Sequence, residues 1–145
     1  MRIIIISILV SGSIFAQGFL HNMDGEVVDG NGEPILLRGF GLGGWLVPEG
    51  YMLHNQAWIE GFESPTDIEN HVIDLIGQDE ANDFWELYRA NYVAQADIDK
   101  IAEWGFNHIR VPFHYKQFYD STGTETPVGY AIVDELITWC QPHDI

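Results

Sequence analysis

Two short β-prone runs, Ile35–Arg38 and Phe106–Phe113, are separated by a glycine-rich stretch and three amphipathic segments. Strands joined through helices run parallel, because a parallel neighbour needs a crossover of a dozen or more residues. The chain is therefore expected to be α/β, with strand and helix alternating. The first run reads as a buried strand that leads into the glycine-rich loop from Gly39 to Val47. The second, bounded by Gly105 and Pro112, reads as a buried parallel-type strand whose end the proline fixes. The long connection after Gly44 then lies at the carboxyl end of a strand, the edge where α/β folds bind ligands.

Helical spacing fills the gap between the runs. Thr66-Asp67-Ile68-Glu69 has the form of a capping box, followed by Ile68, Val72, Leu75 and Ile76 on one face and Gly77 as a stop. A second helix is expected from Asp79 to about Tyr92, with Phe84, Leu87, Tyr88 and Tyr92 apolar. A third begins near Ala96, carries Ile98, Ile101 and Ala102, and ends at Gly105. A last one runs from Val128 to Cys140 through Ile132, Val133, Leu136 and Ile137. Ahead of all these, residues 26–38 predict a hairpin around Asp29-Gly30-Asn31-Gly32, since Gly and Asn accept the positive φ of such a turn.

The 145 residues carry six Lys and Arg against 22 Asp and Glu, a formal charge of -16, which repels nucleic-acid phosphates and anionic lipid surfaces. Neither nucleic acid nor a membrane is expected as a partner. With 46% hydrophobic and only 19% charged residues, the chain has enough apolar surface to fold rather than remain disordered. Met1-Arg2, the apolar run Ile3–Val10 and a small residue at Ala16 make residues 1–16 a secretory signal peptide, with residues 17–145 as the mature part. The apolar run is shorter than the ~20 residues that a membrane span needs. Secretion, extracellular or periplasmic, follows as an expectation. The single cysteine, Cys140, excludes an internal disulfide and is expected on a buried helix face.

Gly39 to Gly44 fits G-x-G-x-x-G, yet Pro48 and Gly50 break any helix that would hold a pyrophosphate, and no acidic strand end follows about twenty residues on. No cofactor is therefore expected. The histidines form neither H-x-H nor H-x-x-x-H, so no metal is expected either.

Leu37-Arg38-Gly39, then Leu42-Gly43-Gly44-Trp45-Leu46-Val47-Pro48-Glu49-Gly50-Tyr51, then Phe84-Trp85, and finally Asp97-Ile98 through Gly105-Phe106-Asn107-His108-Ile109-Arg110-Val111-Pro112 together resemble family 5 glycoside hydrolases, of the cellulase and exo-1,3-glucanase type. The resemblance implies a (β/α)8 TIM barrel of ~250 residues, of which this chain supplies the N-terminal portion: about two βα units preceded by a hairpin. It also implies retaining hydrolysis of a β-glucan or related polysaccharide by two glutamates, the acid/base and the nucleophile, both beyond Ile145. The 145 residues alone are accordingly expected to be inactive.

By the same resemblance Arg110 orients the nucleophile, and an always-charged guanidinium suits that task. Glu49 and Tyr51 resemble residues that contact the sugar, where a carboxylate accepts hydrogen bonds from vicinal hydroxyls. His114 and Tyr115 are expected to line the same face, and Trp45 and Trp58 to offer stacking platforms. Trp85, Trp104 and Trp139, in helical stretches, are expected to pack instead. The alternative is a secreted, non-catalytic carbohydrate-binding remnant, which an isolated slice of barrel with uncovered edges and helix faces argues against.

Overall fold

A computed structural model describes residues 18–53 and 64–145. The apolar leader and Trp58 lie outside the described residues. The chain divides into two compact units, with the boundary along the chain between Leu36 and Leu37.

In the first unit β1 (His21–Met23) and β2 (Glu26–Val28) pair antiparallel, with His21 opposite Val28. The turn is Asp24-Gly25, with φ of 53° and 91°, the two positive values that a tight two-residue hairpin requires. The predicted hairpin is thus displaced toward the N-terminus. The turn at Asp29 does form, its carboxylate accepting from the amides of Asn31 and Glu33 at 2.8 and 3.0 Å. The run behind it adds only a Val28–Pro34 bridge and a bond from Ile35 N to Val27 O, because Pro34 has no N–H to extend a ladder.

The second unit is built on a parallel pair, β3 (Gly39–Gly41) and β4 (His108–Arg110), in the register Gly39–His108, Phe40–Ile109, Gly41–Arg110. Between them run α1 (Gly50–Leu53), α2 (Pro65–Ile76), α3 (Gln78–Tyr92) and α4 (Gln95–Glu103), and α5 (Pro127–Cys140) follows. Strand and helix mix as expected, and the described residues form no closed barrel. The first strand lies on the glycines rather than on Ile35–Arg38. At Gly39 a Cβ would stand 2.8 Å from His108 Nδ1, so the pairing itself selects glycine there. Neither strand is buried: only Phe40 and Ile109 are half-covered, since a sheet of two strands has no neighbour on its outer edges.

The core gathers Leu42, Trp45 and Leu46 behind β3 with Val93, Ile98 and Ile101 around α4 and Leu136 and Cys140 of α5. Phe40 and Phe106 meet edge to face at 5.5 Å beside it. Cys140 is buried as expected, and burial pushes its thiol pKa up.

The helices start and stop close to their predicted positions, with two corrections. The cap of α2 is Ser64 rather than Thr66: its hydroxyl accepts from Asp67 N at 3.2 Å while the Asp67 carboxylate accepts from Ser64 N at 3.1 Å. Pro65 at the first helical position favours this earlier start. Thr66 and Glu69 instead receive Lys116 Nζ, at 3.0 and 2.8 Å. The stripe of α3 is rotated as well. Ala81 is buried and Trp85 and Tyr88 are half-buried, whereas Phe84 and Leu87 are exposed. Two tertiary hydrogen bonds select that face: Tyr88 Oη donates to Gly44 O, and Trp45 Nε1 donates to Arg89 O, both at 2.8 Å. Arg89 lies in the last turn, whose carbonyls lack partners within the helix. Trp104, expected to pack, is 61% exposed, because α4 ends at Glu103 and the chain turns away at Gly105 with φ 81°. Trp85 and Trp139 are half-buried.

Candidate functional site

The carboxyl ends of β3 and β4 form one edge. Pairing continues past the strands, with Leu42 N donating to Arg110 O at 3.0 Å, a parallel bridge between Leu46 and Phe113, and His114 N donating to Leu46 O at 3.0 Å. The loop after β3 and the segment after β4 therefore leave the sheet side by side.

Gly44 is the pivot of the first of these. Its φ is +78°, it is buried, and a Cβ there would lie 2.6 Å from Tyr92 Oη. Only glycine meets both conditions. The chain then passes Trp45, Leu46 and buried Pro48 to half-buried Glu49, whose carbonyl accepts from Met52 N and Leu53 N at 2.9 and 3.2 Å and so opens α1. The Glu49 carboxylate folds back toward the glycines, with Oε2 3.5 Å from where a Cβ on Gly43 would stand. Tyr51, in α1, is 62% exposed.

On the other strand Arg110 ends β4 opposite Gly41, where a Cβ would meet nothing within 4 Å. The Arg110 side chain is exposed and makes no hydrogen bond or ion pair among the described residues. Four residues on, half-buried His114 caps a 3₁₀ turn (Tyr115–Gln117), its Nδ1 accepting from Lys116 N at 3.4 Å. Its ring lies 4.5 Å from that of Tyr115, tilted by 35°. Chemically, the edge offers a free guanidinium, a carboxylate, an imidazole and two phenols, groups that exchange hydrogen bonds with hydroxyls.

Five of the sequence-predicted residues, Glu49, Tyr51, Arg110, His114 and Tyr115, thus sit on the segments leaving this edge. Trp45 does not belong with them. It is 2% exposed, its ring packs in the core, and its N–H is spent on Arg89 O, so no face remains for a ligand. Trp58 lies outside the described residues. No group of three or more His, Cys, Asp or Glu among the described residues is placed to hold a metal ion.

The sequence reading passed over the residues that hold this edge in place. Tyr88 and Tyr92 stack 4.8 Å apart beside Gly44. Burial and the neighbouring Tyr92 push the Tyr88 phenol pKa well up, so it remains a donor. Lys116 ties the 3₁₀ turn to α2 through Glu69 and Thr66. The aromatic spacing of 85, 88 and 92 was the available signal for the first pair. For Lys116 there was only its scarcity, as one of six basic residues.

Comparison with known proteins identifies the family. The profile of the family described as Cellulase (glycosyl hydrolase family 5) matches residues 61–145. A β-xylosidase of Phanerodontia chrysosporium is 30% identical over 83% of this chain and 24% of its own length. A probable glucan 1,3-β-glucosidase A of Aspergillus niger is 28% identical over 73% of this chain and 25% of its own. Glucan 1,3-β-glucosidase 1 of Schizosaccharomyces pombe is 26% identical over 90% and 32%. The chain spans about a quarter to a third of the length of these relatives. With the profile covering more than half of its residues, the chain belongs to glycosyl hydrolase family 5.

Proposed function

We propose that this chain is the amino-terminal part of a secreted glycoside hydrolase that cleaves a β-linked glucan or related polysaccharide with retention. In this reading β3 and β4 are the first two strands of a (β/α)8 barrel, residues 17–145 belong to its catalytic domain, and residues 1–16 are a cleaved secretory leader. Retention requires two carboxyl groups about 5 to 5.5 Å apart, one a nucleophile and the other an acid that later acts as a base. Both are assigned to strands outside these 145 residues.

The observation that carries the reading is the shared edge. Arg110 ends one strand while the Glu49 loop leaves the other, at the end of a parallel sheet where barrel enzymes assemble their sites. Arg110, with no partner among the described residues, is the residue proposed to hold the nucleophile ionised and oriented, since an adjacent guanidinium favours the charged carboxylate. Glu49 accepts from sugar hydroxyls, Tyr51 donates or accepts beside it, and His114 and Tyr115 line the same edge. The glucan 1,3-β-glucosidase and β-xylosidase names of the relatives support a glycan substrate and leave the linkage open.

A self-contained binding module is the weaker reading. Leu75 is 69% exposed, Leu87 64% and Ile137 50%, and a stand-alone domain covers such helix faces. Reading the encoding DNA past the Ile145 codon tests the proposal. A frame that continues for ~200 residues to complete a barrel, with glutamates at two further strand ends, is the expected result. A stop codon directly after Ile145, or glucan hydrolysis by the purified 145-residue chain, overturns the placement of the chemistry outside it.

A further inference from the structure

Asn31 is the one asparagine of the chain followed by a glycine. Glycine leaves its own backbone nitrogen unshielded, and asparagine is thermolabile because the nitrogen after it can attack its side-chain amide. Asn31 is exposed, in the turn that follows β2. A Cβ on Gly32, whose φ is +84°, would meet only Met23 Cε, at 3.8 Å, so little crowds the position.

The other asparagines among the described residues are held more firmly. Asn70 lies in α2 and Asn82 and Asn91 in α3, where the following amide is directed at a carbonyl four residues back. Asn22 Oδ1 accepts from Gly25 N at 3.3 Å, and Asn107 Oδ1 from Arg38 N at 2.7 Å.

Asp29 restrains Asn31 at three points. Its carboxylate accepts from Asn31 N at 2.8 Å and from Asn31 Nδ2 at 3.4 Å, and its carbonyl accepts from Gly32 N at 3.0 Å. The attacking nitrogen and the leaving amide are thus engaged by one residue. Hydrogen bonds from the Glu33 and Asn31 amides hold the Asp29 carboxyl below the usual carboxylate range, so it stays an acceptor at neutral pH. Attack requires this turn to open, and exposed turns with few buried contacts open at small cost.

In the reaction the Gly32 nitrogen loses its proton to solvent base and bonds to Asn31 Cγ, the Cγ–Nδ2 bond breaks, and ammonia leaves. Water then opens the cyclic imide at either carbonyl, so that amide plus water becomes acid plus ammonia. Neither product fits the turn. Aspartate sets a carboxylate where Nδ2 donated to Asp29 Oδ2, like charge against like. Isoaspartate adds a carbon to the backbone and takes the Gly32 N–Asp29 O bond out of register.

We propose that Asn31 is a site of spontaneous deamidation restrained by Asp29, and that its conversion releases residues 29–35 from β2. This lies beyond the hydrolase reading and does not depend on it. The test is incubation of the full chain at neutral and at mildly alkaline pH, followed by digestion in acid and mass-spectrometric mapping that separates aspartate from isoaspartate. Both products are expected at position 31, at least fivefold faster than conversion at Asn22, Asn70, Asn82, Asn91 or Asn107, and faster at the higher pH. Asp29→Ala is expected to speed the conversion at least threefold, and Gly32→Ala to slow it at least fivefold. In Asn31→Asp the Glu33 and Ile35 amides, bonded to Asp29 Oδ1 and Val27 O, are expected to exchange at least fivefold faster than in the parent, with Leu42 N unchanged. An Asn31 that converts no faster than those five, or a rate unmoved by Asp29→Ala, overturns the restrained site. Unchanged exchange at Glu33 and Ile35, or an equal change at Leu42, overturns the release.

Discussion

Gly44 shows how much a single position carries. Its left-handed φ and the nearby Tyr92 hydroxyl together predict that Gly44→Ala destabilises the fold by about 2–4 kcal/mol, combining backbone strain with overpacking. Removing the hydroxyl with Tyr92→Phe relieves only the steric part, so the double variant will recover about half of the loss in urea unfolding, a non-additivity that marks direct contact. Cys140 gives a second prediction. Burial raises its folded pKa above the unfolded value of about 8.5. The folded state therefore holds the proton more tightly, and this contribution to stability is complete below pH 8.5 and lost as pH rises through the folded pKa. Stability will fall on the alkaline side, and Cys140→Ala will shallow that slope without abolishing it, since Tyr88 shifts in the same direction. At this scale the sequence was legible in the place of Arg110 at a strand end and in the burial of Cys140 on a helix. It was opaque at Trp45, where an aromatic beside a glycine-rich loop suits a ligand platform and a core residue equally well. The hydrogen bond to Arg89 O, 44 residues away, separates the two, and it has no local signature.

Among the elements, helices were legible nearly to their ends, whereas strands were legible only in part: β4 falls inside the expected Phe106–Phe113 run and pairs parallel, but β3 lies beyond Ile35–Arg38. Helical periodicity accumulates over twelve residues in α2 and fifteen in α3, whereas each strand has three, too few for alternation to register. The β1–β2 turn is nevertheless written in Asp24-Gly25, a strong two-residue hairpin signal, although His21-Asn22-Met23 beside it carries no apolar pattern. For α2 the cap at Ser64 yields a discriminating pair of variants. Ser64→Ala will cost about 1 kcal/mol. Thr66→Val will leave the cap intact and loosen only the tie to Lys116. Lys116→Met removes that tie altogether. The pair it breaks is partly exposed, so global stability will fall by no more than about 1 kcal/mol. Amide exchange in Tyr115–Gln117 will quicken more than that figure alone implies, because the turn loses its anchor on α2.

The whole molecule sets strong like-charge repulsion against uncovered apolar surface. At -16 the chains keep apart at neutral pH, although Leu75, Leu87, Phe113 and Ile137 are each at least half exposed. Protonating carboxylates or adding salt weakens the repulsion and leaves the apolar faces unchanged. Sizing chromatography will therefore show association rising as pH falls from 7 toward 5, and rising with ionic strength at pH 7. The α/β alternation behind this surface could be read from the order of the segments. Which faces remain uncovered could not, because that depends on how much of a sheet is present to receive them.

The parallel register also sets an order of assembly. It joins residues 69 apart, from Arg38–Asn107 through Gly41–Arg110, and closing so long a loop is slow unless something local shortens it. Helices α2 to α4 lie wholly inside that loop, so their collapse must come first and draw the two strands within reach. Pulse-labelled refolding would then protect the amides of α3 and α4 before those of Leu42 and His114, which bond across the edge. The edge that gathers Glu49 and Arg110 is thus the last feature to form and, in unfolding, the first to be lost.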